Sequence, residues 1–192
     1  MHSSANHYAS SWLLVILLLL PISVLAQKQT QRSKPTHIKV PTIAPRPEDV
    51  STLDGIMKAF YETISGAAGQ PRQWGRDRTL YIPGVRFVST NVSRDGTIVA
   101  RVMDHQDYVD GADGYFVNGG FFEREIHHAT QTFGNITHVF STYESRLKSD
   151  GPVIARGINS VELFNDGKRW WIAAAIWDDE RPNNPIPKEF LP

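Results

Sequence analysis

The pattern of apolar positions predicts a helix near the start of the folded region. Between Leu53 and Ile64 the apolar residues recur every three or four positions, a spacing that places them on one face of a helix. Ser51 or Thr52 can cap its start, and Gly66 or Gly69 can end it. We expect this helix to close one side of an antiparallel sheet.

Strands dominate the second half of the chain. Shorter elements come first, with helices predicted over 73–80 and 108–116 and strands over 85–92 and 97–103. Turn residues then separate four long segments of strand-like composition, at 121–133, 136–149, 152–164 and 170–177. The order of elements predicts an α+β fold, in which a helix packs into a strongly curved antiparallel sheet shaped like a conical, barrel-like cup.

The turns between the long strands predict which residues lie opposite one another. A two-residue turn at Gly134-Asn135 places Phe133 opposite Ile136. Counting back along both strands gives the pairs Ala129–Phe140, His127–Thr142 and Glu125–Glu144. A two-residue turn at Asp150-Gly151 gives in the same way the pairs Glu144–Gly157, Thr142–Asn159 and Phe140–Val161.

Alternation along these strands then defines two faces. The first is apolar at one end and polar at the other, as in a sheet that packs a helix and lines a polar mouth, so we expect it to point inward. It carries Ala129, Phe133, Ile136, Phe140, Val161 and Leu163, and then Glu125, His127, Thr142, Glu144, Arg146 and Asn159. The second carries Arg124, Ile126, His128, Thr130, Val139, Ser141, Tyr143, Ile158, Ser160 and Glu162. The facing of the last strand has two alternatives. A bulged turn at Asp166-Gly167 would point Trp171, Ala173, Ala175 and Trp177 inward, and an unbulged turn would point Trp170, Ile172, Ala174 and Ile176 inward.

The ends of the chain differ from the domain in composition. An apolar run from Trp12 to Leu20, a break at Pro21 and small residues before Gln27 predict a cleaved signal peptide over 1–26. We therefore expect an exported protein, periplasmic or secreted, with no stable membrane span after cleavage. A Pro-rich linker over 27–47, the domain over 48–181 and a Pro-rich tail over 182–192 complete the organisation.

Charge and composition exclude several kinds of chemistry. Lys+Arg and Asp+Glu both number 20, so no overall field attracts nucleic acid, and we expect no nucleic-acid partner. The absence of cysteine excludes disulfides, thiolate zinc sites and cysteine nucleophiles. Nucleotide, serine-hydrolase and zinc-protease motifs are missing. His127 and His128 are strand neighbours that point to opposite faces, so we expect no metal and no cofactor.

The order of elements resembles the nuclear transport factor 2-like superfamily, which includes ketosteroid isomerase, scytalone dehydratase and SnoaL-like cyclases. The resemblance is carried by the opening helix Leu53 to Ile64, the block 120–127, the strand 139–144 and the closing block 166–172. It implies an internal pocket and pairing of two copies through the sheet. It also implies that Ser89 falls near the catalytic base position of ketosteroid isomerase, and Asn159 near its oxyanion-binding Asp.

The predicted register brings a polar cluster together on the inner face. His127 is the candidate base, as the scytalone dehydratase likeness implies, with Glu144 as its carboxylate and Asn159 as an oxyanion donor. The expected ligand contacts are Glu125, Thr142, Phe140, Arg146, Trp171 and Trp177. The alternative is a solvated rim of ordinary polar residues.

Three functions remain open at this point. The first is a pocket protein that binds a small apolar or amphipathic molecule. The second is a cofactor-free lyase or isomerase with His127 as base, and the third is a dimeric interaction module with a filled core.

Overall fold

A computed structural model describes residues 37–192. The predicted signal peptide, and the linker up to residue 36, lie outside the described residues. Within 37–192, no helix combines the length and the apolar character that a membrane crossing requires.

Four helices and six strands form the described part of the chain. The helices are α1 (Pro47–Val50), α2 (Leu53–Glu62), α3 (Trp74–Arg78) and α4 (His105–Gly119). The strands are β1 (Tyr81–Val92), β2 (Ile98–Met103), β3 (Phe122–Phe133), β4 (Ile136–Arg146), β5 (Ala155–Asn165) and β6 (Trp170–Asp179). A 3-10 turn at Lys188–Phe190 follows near the C-terminus.

The strands form a single sheet in the order β2-β1-β6-β5-β4-β3. Neighbouring strands run antiparallel except for β1 and β6, which are parallel, a pairing that the hairpin turns did not predict. The sheet is open, because β2 and β3 stand at its two edges. The predicted α+β class, with a helix packed on a curved sheet, is confirmed.

The predicted opening helix is α2, and it supplies the helical side of the main core. The Thr52 side chain accepts a hydrogen bond from the backbone of Gly55, which confirms one of the two predicted caps. Its apolar face is buried at Ile56 and Ala59, and it packs against inward residues of β4, β5 and β6. Those residues are Val139, Val161, Leu163, Ile172 and Ala175.

A second apolar cluster forms around α4, which is longer at both ends than the predicted helix over 108–116. Asp104 and Asp107 form a capping box at its start. Because both residues are polar, the apolar pattern that predicts the helix does not include them, and the predicted start is too late. Val109 and Phe116 of α4 pack with Trp74 and Val40. The last part of the predicted linker therefore packs on the domain.

The register of β3 on β4 confirms the predicted hairpin as far as its middle. Phe133 lies opposite Ile136 and His127 lies opposite Thr142, as the Gly134-Asn135 turn predicts. Between Glu125 and His127 the register shifts by one residue, so Glu125 lies opposite Tyr143. The predicted Glu125–Glu144 pair is wrong because Ile126 is an extra residue at this point in the strand.

The predicted register of β4 on β5 is wrong by one residue. Asn159 lies opposite Ser141, and Thr142 lies opposite Ile158. The Asp150-Gly151 turn is part of a longer loop over 147–154, within which Gly151 donates its backbone N–H to the carbonyl of Lys148. The slip inverts the predicted facing of β4, so its inward residues are Thr137, Val139, Ser141 and Tyr143 instead of Phe140 and Thr142.

Both alternatives for β6 apply, one to each half of the strand. The register shifts between Glu162 and Leu163, which leaves Ala173 as the extra residue. Before that point Ile172 is buried, and after it Ala175 is buried. The bulge therefore lies within β6 and not in the turn that precedes the strand. That turn is a loop of four residues, because Asn165 at the end of β5 lies opposite Trp170 at the start of β6.

Candidate functional site

A pocket of about 290 Å³ opens between α4 and the inner face of the sheet. This volume lies at the small end of the range for small-molecule sites in proteins, roughly 300–1,000 Å³. Most of the lining is apolar and largely aromatic, formed by Phe60, Ile64, Phe87, Tyr108, Tyr115, Phe116, Phe121, Ile154, Ala155 and Trp177. The sheet supplies the polar wall, which carries Glu123, Tyr143, Ser145, Asn159 and Asp179.

The cross-strand pairing explains the polar wall. Tyr143, Gly157 and Asp179 lie opposite one another on β4, β5 and β6. Since Gly157 has no side chain, the ring of Tyr143 lies over β5 and its hydroxyl donates a hydrogen bond to Asp179 Oδ1. A Cβ atom at Gly157 would come within 2.6 Å of Tyr143 Cζ, so this row requires glycine.

Glu123 is the acidic group of the pocket with the strongest electrostatic perturbation. Burial raises its pKa, the negative charge of Asp179 raises it further, and together they bring it to about 8. Its carboxyl group makes no side-chain hydrogen bond with residues 37–192, whereas its backbone N–H is held by Ser65 Oγ at 2.9 Å. A carboxyl group in this state can give or take a proton near neutral pH.

Asn159 is held by a chain of hydrogen bonds that crosses the core. Ser141 donates to the Glu125 carboxylate, and because a carboxylate only accepts, the direction of the remaining bonds follows. Tyr61 donates to Ser141 over 2.7 Å, and Asn159 Nδ2 donates to Tyr61 over 3.1 Å. The amide of Asn159 is thereby oriented, and its Oδ1 makes no side-chain hydrogen bond within the described residues. His128 is the last member of this series of hydrogen bonds, and its Nδ1 lies 2.6 Å from Glu125 Oε1.

The structure places two of the predicted site residues at the pocket, Asn159 and Trp177. His127 does not line the pocket. It lies opposite Thr142, whose hydroxyl donates to the carbonyl of Phe190 in the C-terminal tail, so both belong to the outer face of the sheet. Phe140 is on that face too, 4.9 Å from the ring of Phe190. The prediction that His127 rather than His128 lines the cavity is wrong, because the bulge at Ile126 and the slip of β4 change the facing.

The other predicted residues form contacts away from the pocket. Glu144 binds Arg124 and Arg146, each at 2.7 Å, and these hydrogen bonds outweigh the effect of burial, so its pKa is lowered. Glu144 therefore has the character of a permanently charged ion-pair partner. Trp171 donates its Nε1–H to Asp166, and Arg169 stacks on its ring at 3.6 Å. Glu125 faces inward but is occupied by His128 and Ser141.

Sequence reasoning missed the two acidic residues of the pocket, Glu123 and Asp179. Glu123 lies within the block 120–127 that carries the resemblance, and alternation from Glu125 already places it on the same face. Asp179 follows the predicted end of the last strand, which in the structure extends two residues further. No group of three or more potential metal ligands occurs among residues 37–192.

No protein-family model and no curated protein matches the sequence. Solved structures resemble the chain at low identity. A nuclear transport factor 2-like protein of unknown function from Methylobacillus flagellatus is 9% identical, with a TM-score of 0.45 over 68% of this chain and 95% of that one. A candidate ketosteroid isomerase from Parabacteroides distasonis is 14% identical, with a TM-score of 0.44 over 68% and 89%. A cystatin-like protein of unknown function from Nostoc punctiforme is 7% identical, with a TM-score of 0.42 over 58% and 79%. With TM-scores this low, these likenesses concern the fold alone and say nothing about the activity of this chain.

Proposed function

We propose that this chain binds a small organic molecule in the pocket between α4 and the sheet. The observation that supports the proposal is the lining of the pocket, which combines mostly apolar and aromatic side chains with a few polar groups. Binding sites for small molecules are mostly apolar and carry a few convergent polar groups that orient the ligand. Export of the protein and pairing of two copies stay predictions.

A blocked pocket tests this proposal directly. Ala155 lines the pocket, so Ala155→Trp fills the space that a ligand needs. Ala129 lies on the exposed part of β3 and does not line the pocket, so Ala129→Trp is the matched control. We expect small aromatic compounds to raise the melting temperature of the native chain and of the control but not of Ala155→Trp. Equal shifts in all three proteins would rule out this pocket as the binding site.

A second candidate function is proton transfer without a cofactor, as in a lyase or isomerase. It is favoured by the pKa of about 8 at Glu123, which suits a general acid–base group, and by its position in an aromatic pocket. Tyr108 lines the same pocket, and a tyrosine hydroxyl can donate a hydrogen bond to a developing oxyanion.

Hydrogen exchange in a simple ketone measures this activity without knowledge of the natural substrate. We expect the chain to accelerate the exchange of α-hydrogens of 2-phenylcyclohexanone into D₂O, and the rate to rise with pH through about 8 as Glu123 loses its proton. Glu123→Gln should abolish the acceleration, and Glu162→Gln, on an exposed part of β5, should keep it. Exchange that survives in Glu123→Gln would exclude Glu123 as the base.

A further inference from the structure

The polar groups of the pocket are all acidic, amide or hydroxyl groups. Two carboxyl groups, Glu123 and Asp179, line it, and no Lys, Arg or His is among its lining residues in the described part of the chain. Glu123 makes no side-chain hydrogen bond with residues 37–192. Asp179 accepts only from Tyr143, which leaves its second carboxylate oxygen without a side-chain partner in the same range. The pocket therefore offers negative charge and hydrogen-bond acceptors to a ligand.

Two buried polar side chains add free hydrogen-bonding capacity to this wall. Ser145 is only 3% exposed and lines the pocket, yet its hydroxyl makes no hydrogen bond with residues 37–192. Asn159 is 4% exposed, and its bond to Tyr61 uses Nδ2, so Oδ1 stays without a side-chain partner there. Neither oxygen is among the fully buried side-chain atoms without a partner in the described residues, so both reach solvent and can accept a hydrogen bond from a ligand that brings donors.

The other lining residues present aromatic rings to the same space. Tyr108 and Phe116 come from α4, and Phe121 stacks on Phe116 with the ring centroids 4.2 Å apart. Trp177 meets Tyr108 edge to face at 6.2 Å. Aromatic faces attract organic cations through the ring quadrupole, and such cages with nearby carboxylates bind ammonium groups.

We propose that the ligand of this pocket is an organic cation, a small aromatic amine whose ammonium group binds to Glu123 and Asp179. This inference rests on the proposed binding function and specifies the class of ligand. An ammonium group has three donors and no acceptor, which fits the carboxylates and Asn159 Oδ1. A carboxylate ligand would instead meet like charge without any lining cation.

Binding of a cation also changes the proton balance of the pocket. Glu123 keeps its proton up to about pH 8 because of burial and of Asp179, and the other titratable groups coupled to it are Tyr61, Tyr108 and Tyr143. All three tyrosines have raised pKa values, chiefly because they are buried, and stay neutral at pH 7. An ammonium ligand favours the ionised form of Glu123, so binding at pH 7 should release a proton.

Three probes of similar shape and different charge test the proposal. They are 2-phenylethylamine, 2-phenylethanol and phenylacetate, titrated calorimetrically into the native chain at pH 7. We expect the amine to bind at least tenfold more tightly than the alcohol, and phenylacetate to bind more weakly than either. Repeating the titration in buffers of different ionisation enthalpy should show release of a fraction of a proton with the amine and none with the alcohol.

Variants connect the preference to the two carboxyl groups. Glu123→Gln and Asp179→Asn should each weaken amine binding about tenfold, leave alcohol binding within about twofold, and, for Glu123→Gln, abolish the proton release. Glu162→Gln is the control, because it removes a carboxylate from an exposed position outside the pocket.

The outcomes separate this inference from the proposed function. If the alcohol binds as tightly as the amine, the cation preference is wrong and the binding function stands. If neither binds, both are wrong. Amine binding that Glu123→Gln and Asp179→Asn leave unchanged also overturns the assignment, because the ammonium group would then lie elsewhere.

Discussion

Tyr143 and Asp179 are joined by a hydrogen bond that passes over a whole strand. Gly157 lies between them in the cross-strand row, and the missing side chain leaves room for the tyrosine ring. The bond connects the buried core, where Tyr143 is 4% exposed, to an acidic residue at the pocket mouth. The sheet thereby orients one of the two carboxyl groups that line the pocket.

Gly157→Ala should destabilise the protein, because the new methyl group would overlap the ring of Tyr143 and the backbone oxygen of Asp178. We expect a loss of about 1 to 3 kcal/mol in the free energy of unfolding, the usual cost of overpacking a buried site. Urea denaturation measures it. Gly114→Ala is the control, since Gly114 lies in α4 and, apart from its chain neighbours and its own helix backbone, no atom stands within 4 Å of the place that the new methyl group would take. Alanine should therefore be neutral or stabilising there. Equal effects of the two changes would contradict the packing of Tyr143 over β5.

A double-mutant cycle isolates the hydrogen bond itself. Tyr143→Phe removes the donor hydroxyl, and Asp179→Ala removes the acceptor carboxylate. We expect a coupling energy of about 1 kcal/mol between the two changes, because Asp179 is exposed to solvent and water replaces part of the bond. A cycle of Tyr143→Phe with Asp178→Asn, the neighbour on β6, should show no coupling. Additive effects in the first cycle would mean that the hydrogen bond does not form in solution.

The raised pKa of Glu123 predicts how stability depends on pH. Between its usual pKa in the unfolded chain and about 8 in the folded protein, the folded state holds a proton that the unfolded state has lost. Folding is therefore progressively less favourable as the pH rises through this window, by at most about 1.4 kcal/mol per pH unit. Glu123→Gln should remove this slope and be the more stable protein at pH 8, as measured by urea denaturation at pH 5, 6.5 and 8. A native chain with no excess slope over the variant would show that Glu123 titrates normally.

The C-terminal tail should keep the outer face of the sheet from self-association. Phe190 packs on Phe140, and the buried Ile186 belongs to the same groove as Ile158 and Ile176. Removal of residues 182–192 would expose this apolar surface. We expect the shortened chain to form larger species in light scattering and to melt at a lower temperature. In the full chain, Phe190→Ala should cost about 1 to 2 kcal/mol, and Lys188→Ala, at an exposed position, close to nothing. A shortened chain that stays the same size as the full chain would exclude this role of the tail.

Sequence patterns predicted those parts of the fold whose causes are local. The stripe from Leu53 to Ile64, the Thr52 cap and the Gly134-Asn135 hairpin depend on residues close together in the chain, and the structure confirms them. The loop over 147–154 was not predictable in this way. Asp150-Gly151 is typical of a two-residue turn, yet Ile154 donates its backbone N–H to the carbonyl of Ser145, which closes a longer loop.

The candidate site was predicted less well than the fold because it depends on register across several strands. A slip of one residue turns every side chain of a strand to the other face of the sheet. The error in the register of β4 on β5 therefore placed Thr142 and Glu144 on the inner face, where the structure has Ser141 and Tyr143. Asn159 and Trp177 line the pocket because they share the inward facing of the core residues on their strands, Val161 and Ala175. The bulges at Ile126 and Ala173 could not be predicted from the alternation of polar and apolar residues along the strands, because the assembled sheet accommodates the extra residue through its twist.

These two bulges have a consequence for how the protein can evolve. Each adds one residue to one strand of a pair, in the edge strand β3 and in the interior strand β6, and a bulge bends the strand that carries it. The depth of the cup is therefore governed by strand length as well as by the side chains that line it. A gain or loss of a single residue in β3 or β6 would alter the curvature while the pairing on either side persists. Descendants of this chain can thus acquire a wider or narrower cavity by one codon inserted or deleted, with every lining residue unchanged.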